Sequence, residues 1–278
     1  MQLHIETIRE IIREALLREV DIEDVGDMCY ATGSTHVMKT CTIGKDKYFL
    51  KFTDESLVDG VDPSLQVLVE YLAYCVYALY PSIKIPAHVQ LVYDRKKKRV
   101  GIATTPVAGK MGLPNVDAKS LARMMSAGVY VDCFLANYDA VGTGTGNVIV
   151  NDDEATRIDP GASMTYRATG GRKGAGFSTK PSELQTMFDP NSPGIAHASA
   201  GRVYQYADLK KAGEVFMSVS WGDINAALIK ASEEVTNELM KHDMNSLTDE
   251  WTGEANHIIT ILKSRHHETV QHIQHVMK

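Results

Sequence analysis

The chain has little cysteine, no long apolar run and no excess of positive charge. Its four cysteines, Cys29, Cys41, Cys75 and Cys133, are scattered without a CxxC pair. That spacing excludes a zinc ribbon, argues against a disulfide framework, and predicts buried free thiols in a reducing compartment. No stretch approaches the roughly 20 apolar residues needed to span a bilayer. The opening "MQLHIETIREIIREALLREV" alternates charged with apolar residues and lacks the core of a signal peptide. The expectation is a cytoplasmic protein with no transmembrane segment. A net charge of −6 argues against wholesale binding of nucleic acid, so any anion site must be local. The short run "RKKKR" has no interleaved aromatics and reads as a charged hairpin tip. The tail holds His266, His267, His272 and His275 without the carboxylate-supported HExxH pattern, and reads as a solvated helix.

What is present is ordinary globular composition over 278 residues, 44% hydrophobic and 23% charged, enough for one large domain or two lobes sharing a cleft. Ile5, Ile8, Ile11, Ile12, Leu16 and Val20 recur at helical spacing and predict an amphipathic helix at the start. "MCYATGSTHVMKTCTIGKDKYFLKF" changes rhythm to Thr, Val, Tyr and Phe with turn signals, hence antiparallel strands. "DPSLQVLVEYLAYCVYALY" reads as a long apolar helix started by Asp62 and Pro63. Strands are expected at "AHVQLVYD" and "RVGIATTPV", then a linker near Pro106 to Gly109. One helix is expected over "DAKSLARMMSAGVYVDCFLANYD", with short strands at "VIV" and "TRID". The glycine-rich, basic segment "GASMTYRATGGRKGAGFSTKP" reads as a mobile loop, followed by helices at "LKKAGEVFMSV", "WGDINAALIKASEEVTNELMKHDM" and "EANHIITILKSRHHETVQHIQHVM". This order predicts an α+β protein: a small antiparallel β-rich lobe with one long helix, then a mostly helical lobe. The expected units are an N-terminal helix at 1–24 packed on the first lobe, that lobe at 25–108, and the helical lobe at 109–278.

The run "GTGTGN" superficially fits a dinucleotide finger, but a helix precedes it and a strand follows, the reverse of the βαβ context that motif requires. A Walker A loop is excluded because no GK[ST] follows the glycines. The polar residues around the run make another pattern. Asp139 sits at a helix end, Asn147 just before one short strand, and Asp159 just after the next. Carboxylate and amide oxygens are hard ligands suited to Mg2+, and phosphoryl transfer wants such a centre beside a carboxylate near the attacking hydroxyl. Singly, each residue could equally be a turn former.

At this point the chain resembles the atypical protein-kinase-like fold shared by HipA-type bacterial kinases and the phosphatidylinositol 3- and 4-kinases. The resemblance runs in order from about Val25 to the C terminus. The family's catalytic segment reads approximately N-x-D-x-H-G-x-N; here "NYDAVGTGTGN" supplies Asn137, Asp139, Gly142 and Asn147, and "RIDPG" supplies Asp159. Val141 stands where the family has His, and the gap from Asp139 to Asn147 is longer. The resemblance implies a two-lobed kinase-like fold using ATP and Mg2+ or Mn2+. It makes Asp139 the catalytic base or hydroxyl-orienting residue, and Asn147 and Asp159 the metal ligands. "YFLKF" is similar to the strand presenting a phosphate-gripping lysine, Lys51, with Lys47 as rival. Strand alternation puts Phe49 on the face of Lys51, where it would roof an adenine. Glu70, a lone acid in the apolar helix, is the implied partner of Lys51. Gly33, Ser34 and Thr35 would cover the phosphates, and Thr105 and Val107 fall where a hinge receives adenine.

The implied activity is phosphorylation of Ser or Thr on a protein, itself included. Two alternatives stand beside it: a lipid or inositol-phosphate kinase, and an inactive pseudokinase that binds nucleotide or a partner. Arg167, Arg172 and Lys173 are candidate contacts to an anionic acceptor, whether a headgroup, a small molecule or an acidic peptide. Ser163, Thr165, Thr169, Ser178 and Thr179 are candidate self-modification sites.

Overall fold

The computed structural model describes residues 29–32, 37–43, 46–52, 62, 64–94, 98–143 and 146–278. The helix expected over residues 1–20, and Gly33, Ser34 and Thr35, lie outside them. Strands β1 (Cys29–Thr32), β2 (Val37–Ile43), β3 (Asp46–Phe52), β4 (Val89–Asp94) and β5 (Arg99–Thr104) form one antiparallel sheet in the order β1-β2-β3-β5-β4. Helix α1 (Ser64–Tyr77) is inserted between β3 and β4. A second, small sheet joins β6 (Lys110–Met111), β7 (Val148–Asn151) and β8 (Glu154–Arg157), all antiparallel. The remaining helices are α2 (Gly112–Asn115), α3 (Ala118–Met125), α4 (Val129–Phe134), α5 (Glu183–Thr186), α6 (Ile195–Tyr204), α7 (Leu209–Met217), α8 (Trp221–Lys241) and α9 (Asn245–Val276). No helix among the described residues is long and apolar enough to cross a membrane.

Local chemistry explains most boundaries. The Asp62 carboxylate accepts the Ser64 N–H at 2.8 Å, giving α1 its start. Asp117 and Asp208 cap α3 and α7 in the same way, and Ser220 with Asp223 forms a reciprocal capping box on α8. Every residue of α1 is buried. A helix apolar all round has no face to give to water, and α1 lies between β5 on one side and α8 on the other. In β3 the alternation is strict. Tyr48, Leu50 and Phe52 join Cys41, Val92 and Ala103 in a satellite core, while Lys51 points to the opposite face. Of the "RKKKR" run, residues 95–97 lie outside the described residues; on either side of them Asp94 pairs with Arg99 in register and by a 3.4 Å ion pair.

Several expectations need correction. The single helix expected over 117–139 is three pieces, α3, a 3-10 turn at Ser126–Gly128, and α4. A Cβ on Gly128 would lie 2.4 Å from the Arg157 guanidinium, so the break is where this side chain enters. The supposed mobile loop after Asp159 is packed: Met164, Tyr166 and Phe177 are buried, and Tyr166 bridges to Arg172 as a small hairpin. Helix α6 was not expected at all. Cys75 and Cys133 are free buried thiols, but Cys41 is disulfide-bonded, and Cys29 stands opposite it in the backbone register. The cysteines therefore no longer argue for a reducing compartment.

Buried ion pairs fasten the helical part. Arg265, fully buried on α9, donates to the carbonyls of Phe134 (2.8 Å) and Cys133 (2.6 Å) and to the Glu183 carboxylate (2.7 Å). It serves the Phe134 carbonyl at the C-terminal end of α4 and shares the Cys133 carbonyl with the Ala136 N–H. Arg157 does the same for Met125 at the end of α3 while pairing with Asp132. Arg265→Met would leave Glu183 buried and unpaired, so we expect a loss of about 3–5 kcal/mol, measured as a lower urea midpoint at unchanged slope. An unchanged midpoint would show that the arginine contributes nothing to the fold.

Candidate active site

One face of α1 carries four polar side chains at steps of four, four and three: Gln66, Glu70, Tyr74 and Tyr77. That spacing sets them in one stripe; Glu70 meets β3, and the other three reach the helical part. The Gln66 amide donates to the carbonyls of Gly161 (3.4 Å) and Arg167 (3.3 Å). The Tyr74 hydroxyl accepts the Asp159 N–H at 3.2 Å. Tyr77 donates to Asp132 at 2.7 Å and accepts from the Asn137 amide at 3.0 Å. Sequence reading singled out only Glu70 from this stripe; the polar spacing within an apolar helix was the signal for the rest.

Glu70 meets Lys51 from β3. The Lys51 ammonium lies 2.7 Å from Glu70 Oε2 and 2.6 Å from Asp159 Oδ1, drawing together residues from three distant parts of the chain. Lys51 is 5% exposed and Glu70 1%, whereas the Asp159 side chain is 39% exposed, so the cluster opens on the Asp159 side. Burial opposes the charge on Lys51, but the Asp159 and Glu70 carboxylates overcome it and hold the ammonium above its ordinary value. Burial pushes Glu70 up to about 7; Lys51 opposes that shift and Asp159 adds to it. Asp159 itself adopts φ 95, an unusual backbone for a non-glycine residue. Gly161 beside it leaves room for the cluster: a Cβ there would lie 2.7 Å from Glu70 Oε2, 2.9 Å from Lys51 Nζ and 3.0 Å from Asp159 Oδ1, so these side chains would have to shift.

Asp139 and Asn147 form the second half. Gly142 and Gly146, both at φ 81, abut backbone to backbone; a Cβ on Gly142 would lie 2.4 Å from the Gly146 Cα. The pinch returns Asn147 to Asp139, where its amide donates to the Asp139 carbonyl at 2.8 Å and carboxylate at 3.2 Å. Thus the longer gap still brings the two residues together. Val141 is buried in the core. Burial pushes Asp139 up to about 6, with the Asn147 hydrogen bond opposing and the Asp159 charge adding to the shift. Its Oδ1 is buried without a protein partner.

Among the described residues no group of three or more His, Cys, Asp and Glu side chains is arranged to hold a metal by itself. The donor set nevertheless fits a hard divalent cation shared with phosphate oxygens: Asp159, the Asn147 amide oxygen, an unsatisfied carboxylate oxygen on Asp139, and mutual repulsion between the two acids. Phe49 lies on the Lys51 face, half-buried and in register with Thr104, and Lys47 is exposed. Thr105 is occupied with His88, donating its N–H to the His88 carbonyl and accepting the His88 N–H on its hydroxyl. Val107 is half-buried beyond it.

The three basic residues expected to face an acceptor separate. Arg167 is exposed. Arg172 pairs with Glu254 at 2.6 Å, and Glu254 also accepts from the Thr165 hydroxyl. Lys173 is buried, its ammonium donating to the carbonyls of Ala136 and Ala162. Neither Arg172 nor Lys173 is presented to an incoming anion, because each is consumed by an internal partner. Ser163 and Thr165 are buried, which removes them as modification sites; Thr169, Ser178 and Thr179 are exposed.

Fold and site together define a two-lobed protein-kinase-like architecture, a small antiparallel lobe with one long helix over a mostly helical lobe. A solved structure with the same architecture is the proinflammatory kinase CtkA of Helicobacter pylori, similar at a TM-score of 0.50 and 11% identity over 93% of this chain and 99% of that one. Such a likeness speaks for a kinase-like fold and does not single out HipA-type or phosphoinositide kinases. The sequence matches no protein-family model and no curated protein.

The raised pKa of Asp139 makes a prediction for the ligand-free protein. An acid whose folded pKa exceeds its unfolded value, about 3.9, costs stability only where it is charged. The cost is absent below pH 4, grows up to about pH 6, and is constant above. Asp139→Asn should match the wild type in urea at pH 4 and exceed it by about 1–3 kcal/mol at pH 8. Equal stability at pH 8 would show that the Asp139 charge is not strained.

Proposed function

We propose that this chain is an ATP- and divalent-metal-dependent phosphotransferase acting on Ser or Thr hydroxyls of a protein, itself included. The observation that carries the reading is the Lys51 ammonium held between Glu70 and Asp159, with the Asp139–Asn147 pair electrostatically coupled to Asp159. In this reading Glu70 fixes Lys51, and Lys51 grips the nucleotide phosphates. Phe49 roofs the base, and Val107, with Thr105 behind it, offers hinge backbone. Asn147 and Asp159 would hold Mg2+ or Mn2+, which when bound supplies neutralising charge to the phosphates. Gly33, Ser34 and Thr35 remain candidates for the phosphate cover.

Asp139 orients the acceptor hydroxyl. A bond forms from that oxygen to the γ-phosphorus as the bond to the β–γ bridging oxygen breaks; ADP leaves, and Asp139 takes the hydroxyl proton. Of the three basic residues Arg167 is the remaining candidate for an acidic acceptor, being exposed, with its Nε donating to the Arg172 carbonyl at 3.2 Å. The 2.6 Å contact between Lys51 and Asp159 favours one second reading, a pseudokinase, because a carboxylate neutralised by lysine is a weaker metal ligand.

Incubation with radiolabelled ATP and Mg2+, offering protein extract in one arm and phosphoinositide vesicles in another, tests the proposal. We expect label in protein, abolished in Asp159→Asn together with nucleotide-induced stabilisation, which should be about 2.7 kcal/mol at 100 times the dissociation constant. Asp139→Asn should keep that stabilisation yet lower kcat by about 10²–10⁴-fold. Label in lipid alone reassigns the acceptor, and stabilisation without turnover selects the pseudokinase. No stabilisation by nucleotide in the wild type overturns both readings.

A further inference from the structure

Lys173 occupies a position that its place in a basic loop does not foretell. Its ammonium donates to the Ala136 carbonyl and to the Ala162 carbonyl, each at 2.6 Å, and lies 4.5 Å from the centre of the Tyr138 ring. Ala136 precedes Asp139 in the first acid-bearing loop, and Ala162 follows Asp159 in the second. One side chain therefore holds both loops.

The two loops are strained. Six non-glycine residues among those described have positive φ, and three of them lie here: Ala136 (φ 55), Asp159 (φ 95) and Met164 (φ 53). Such conformations persist only where surrounding contacts over-determine them. The Met164 N–H donates to the Leu135 carbonyl at 2.6 Å, which is one tie between the loops. The Lys173 ammonium supplies two more hydrogen bonds, one to each side. Its delivery is fixed as well. The Lys173 N–H donates to the Thr165 carbonyl at 2.8 Å, and the adjoining hairpin is pinned to α9 through Arg172 and Glu254.

The charge itself is poorly compensated. No carboxylate forms an ion pair with Lys173 among the described residues, and burial pulls its ammonium well below the ordinary lysine range. Desolvating a cation against carbonyls and a ring, without an anion, is a costly way to fill space. A methionine of similar length would fill it without that cost.

We propose that Lys173 is a positioning residue that clamps the Asp139 loop to the Asp159 loop. The clamp holds the acceptor-orienting acid in register with the phosphate-binding cluster. It rests on the phosphotransfer reading for its kinetic consequence, but its structural consequence stands apart from any activity.

The test uses the full chain as Lys173→Met and Lys173→Gln, the latter keeping two N–H donors without the charge. In Lys173→Met, amide hydrogen exchange over residues 135–141 and 159–165 should accelerate at least about tenfold, with α7, α8 and α9 unchanged. Its kcat should fall about 30–100-fold while the KM for nucleotide moves less than about threefold. Lys173→Gln should recover part of both. Exchange that is unchanged in both loops, or accelerated equally in all the helices, overturns the clamp, as does a kcat within twofold of wild type in an active enzyme. If the wild type transfers no phosphoryl group, the phosphotransfer reading fails, and the exchange measurement still decides the clamp.

Discussion

The structure depends on one buried cation. Lys51 can remain charged at 5% exposure only because Glu70 and Asp159 lie within hydrogen-bond reach. That requirement orients β3 so that Lys51 faces α1 while Tyr48, Leu50 and Phe52 face the satellite core. It fixes the rotation of α1, since turning the helix would bury Glu70 in apolar surroundings without a partner. It also draws in the Asp159 loop tightly enough that a Cβ at Gly161 would press on all three members of the cluster.

The floor under this cluster is built by the same principle. Asp132, wholly buried, accepts from Tyr77, Tyr204 and two nitrogens of Arg157. Tyr77 in turn holds Asn137 at the root of the Asp139 loop. Arg265 caps the end of α4 just before that loop, and Glu254 ties the segment after Asp159 to α9. The long helices α8 and α9 carry none of the five side chains assigned to the reaction. Through Arg265 and Glu254, α9 holds the loops that do.

What could be read from the sequence was chemistry that leaves a local trace. Lys51 followed from strand alternation, and Glu70 from being a lone acid in an apolar helix. Asp139, Asn147 and Asp159 followed from their places at the ends of short elements. The resemblance then put these residues in a common order; in the fold Lys51 meets Glu70 and Asp159, and Asn147 meets Asp139. The failures have a physical pattern too. Residues 161–181 are rich in glycine and basic side chains, which ordinarily means a solvated loop. Partners from α9 and the Asp139 loop, far away in the chain, help decide instead that Lys173 and Phe177 are buried. The break at Gly128 is set by a guanidinium arriving from β8. Local composition carries no record of such visitors.

The electrostatics of the cleft explain why the proposed nucleotide and metal belong together. Burial has already lifted Asp139 and Glu70 above the usual carboxylate range, and Asp159 raises both further. Lys51 is the basic side chain within contact of two of these acids, and their charges bind it firmly. A triphosphate arriving alone would add negative charge to a site where carboxylates already repel one another, and would compete with Glu70 and Asp159 for the same ammonium. Asn147 and Asp159 would hold a divalent cation arriving with it, whose positive charge would offset the repulsion between Asp139 and Asp159 and loosen their hold on Lys51. On the proposed reading, the repulsion among these acids would favour a nucleotide already carrying its metal.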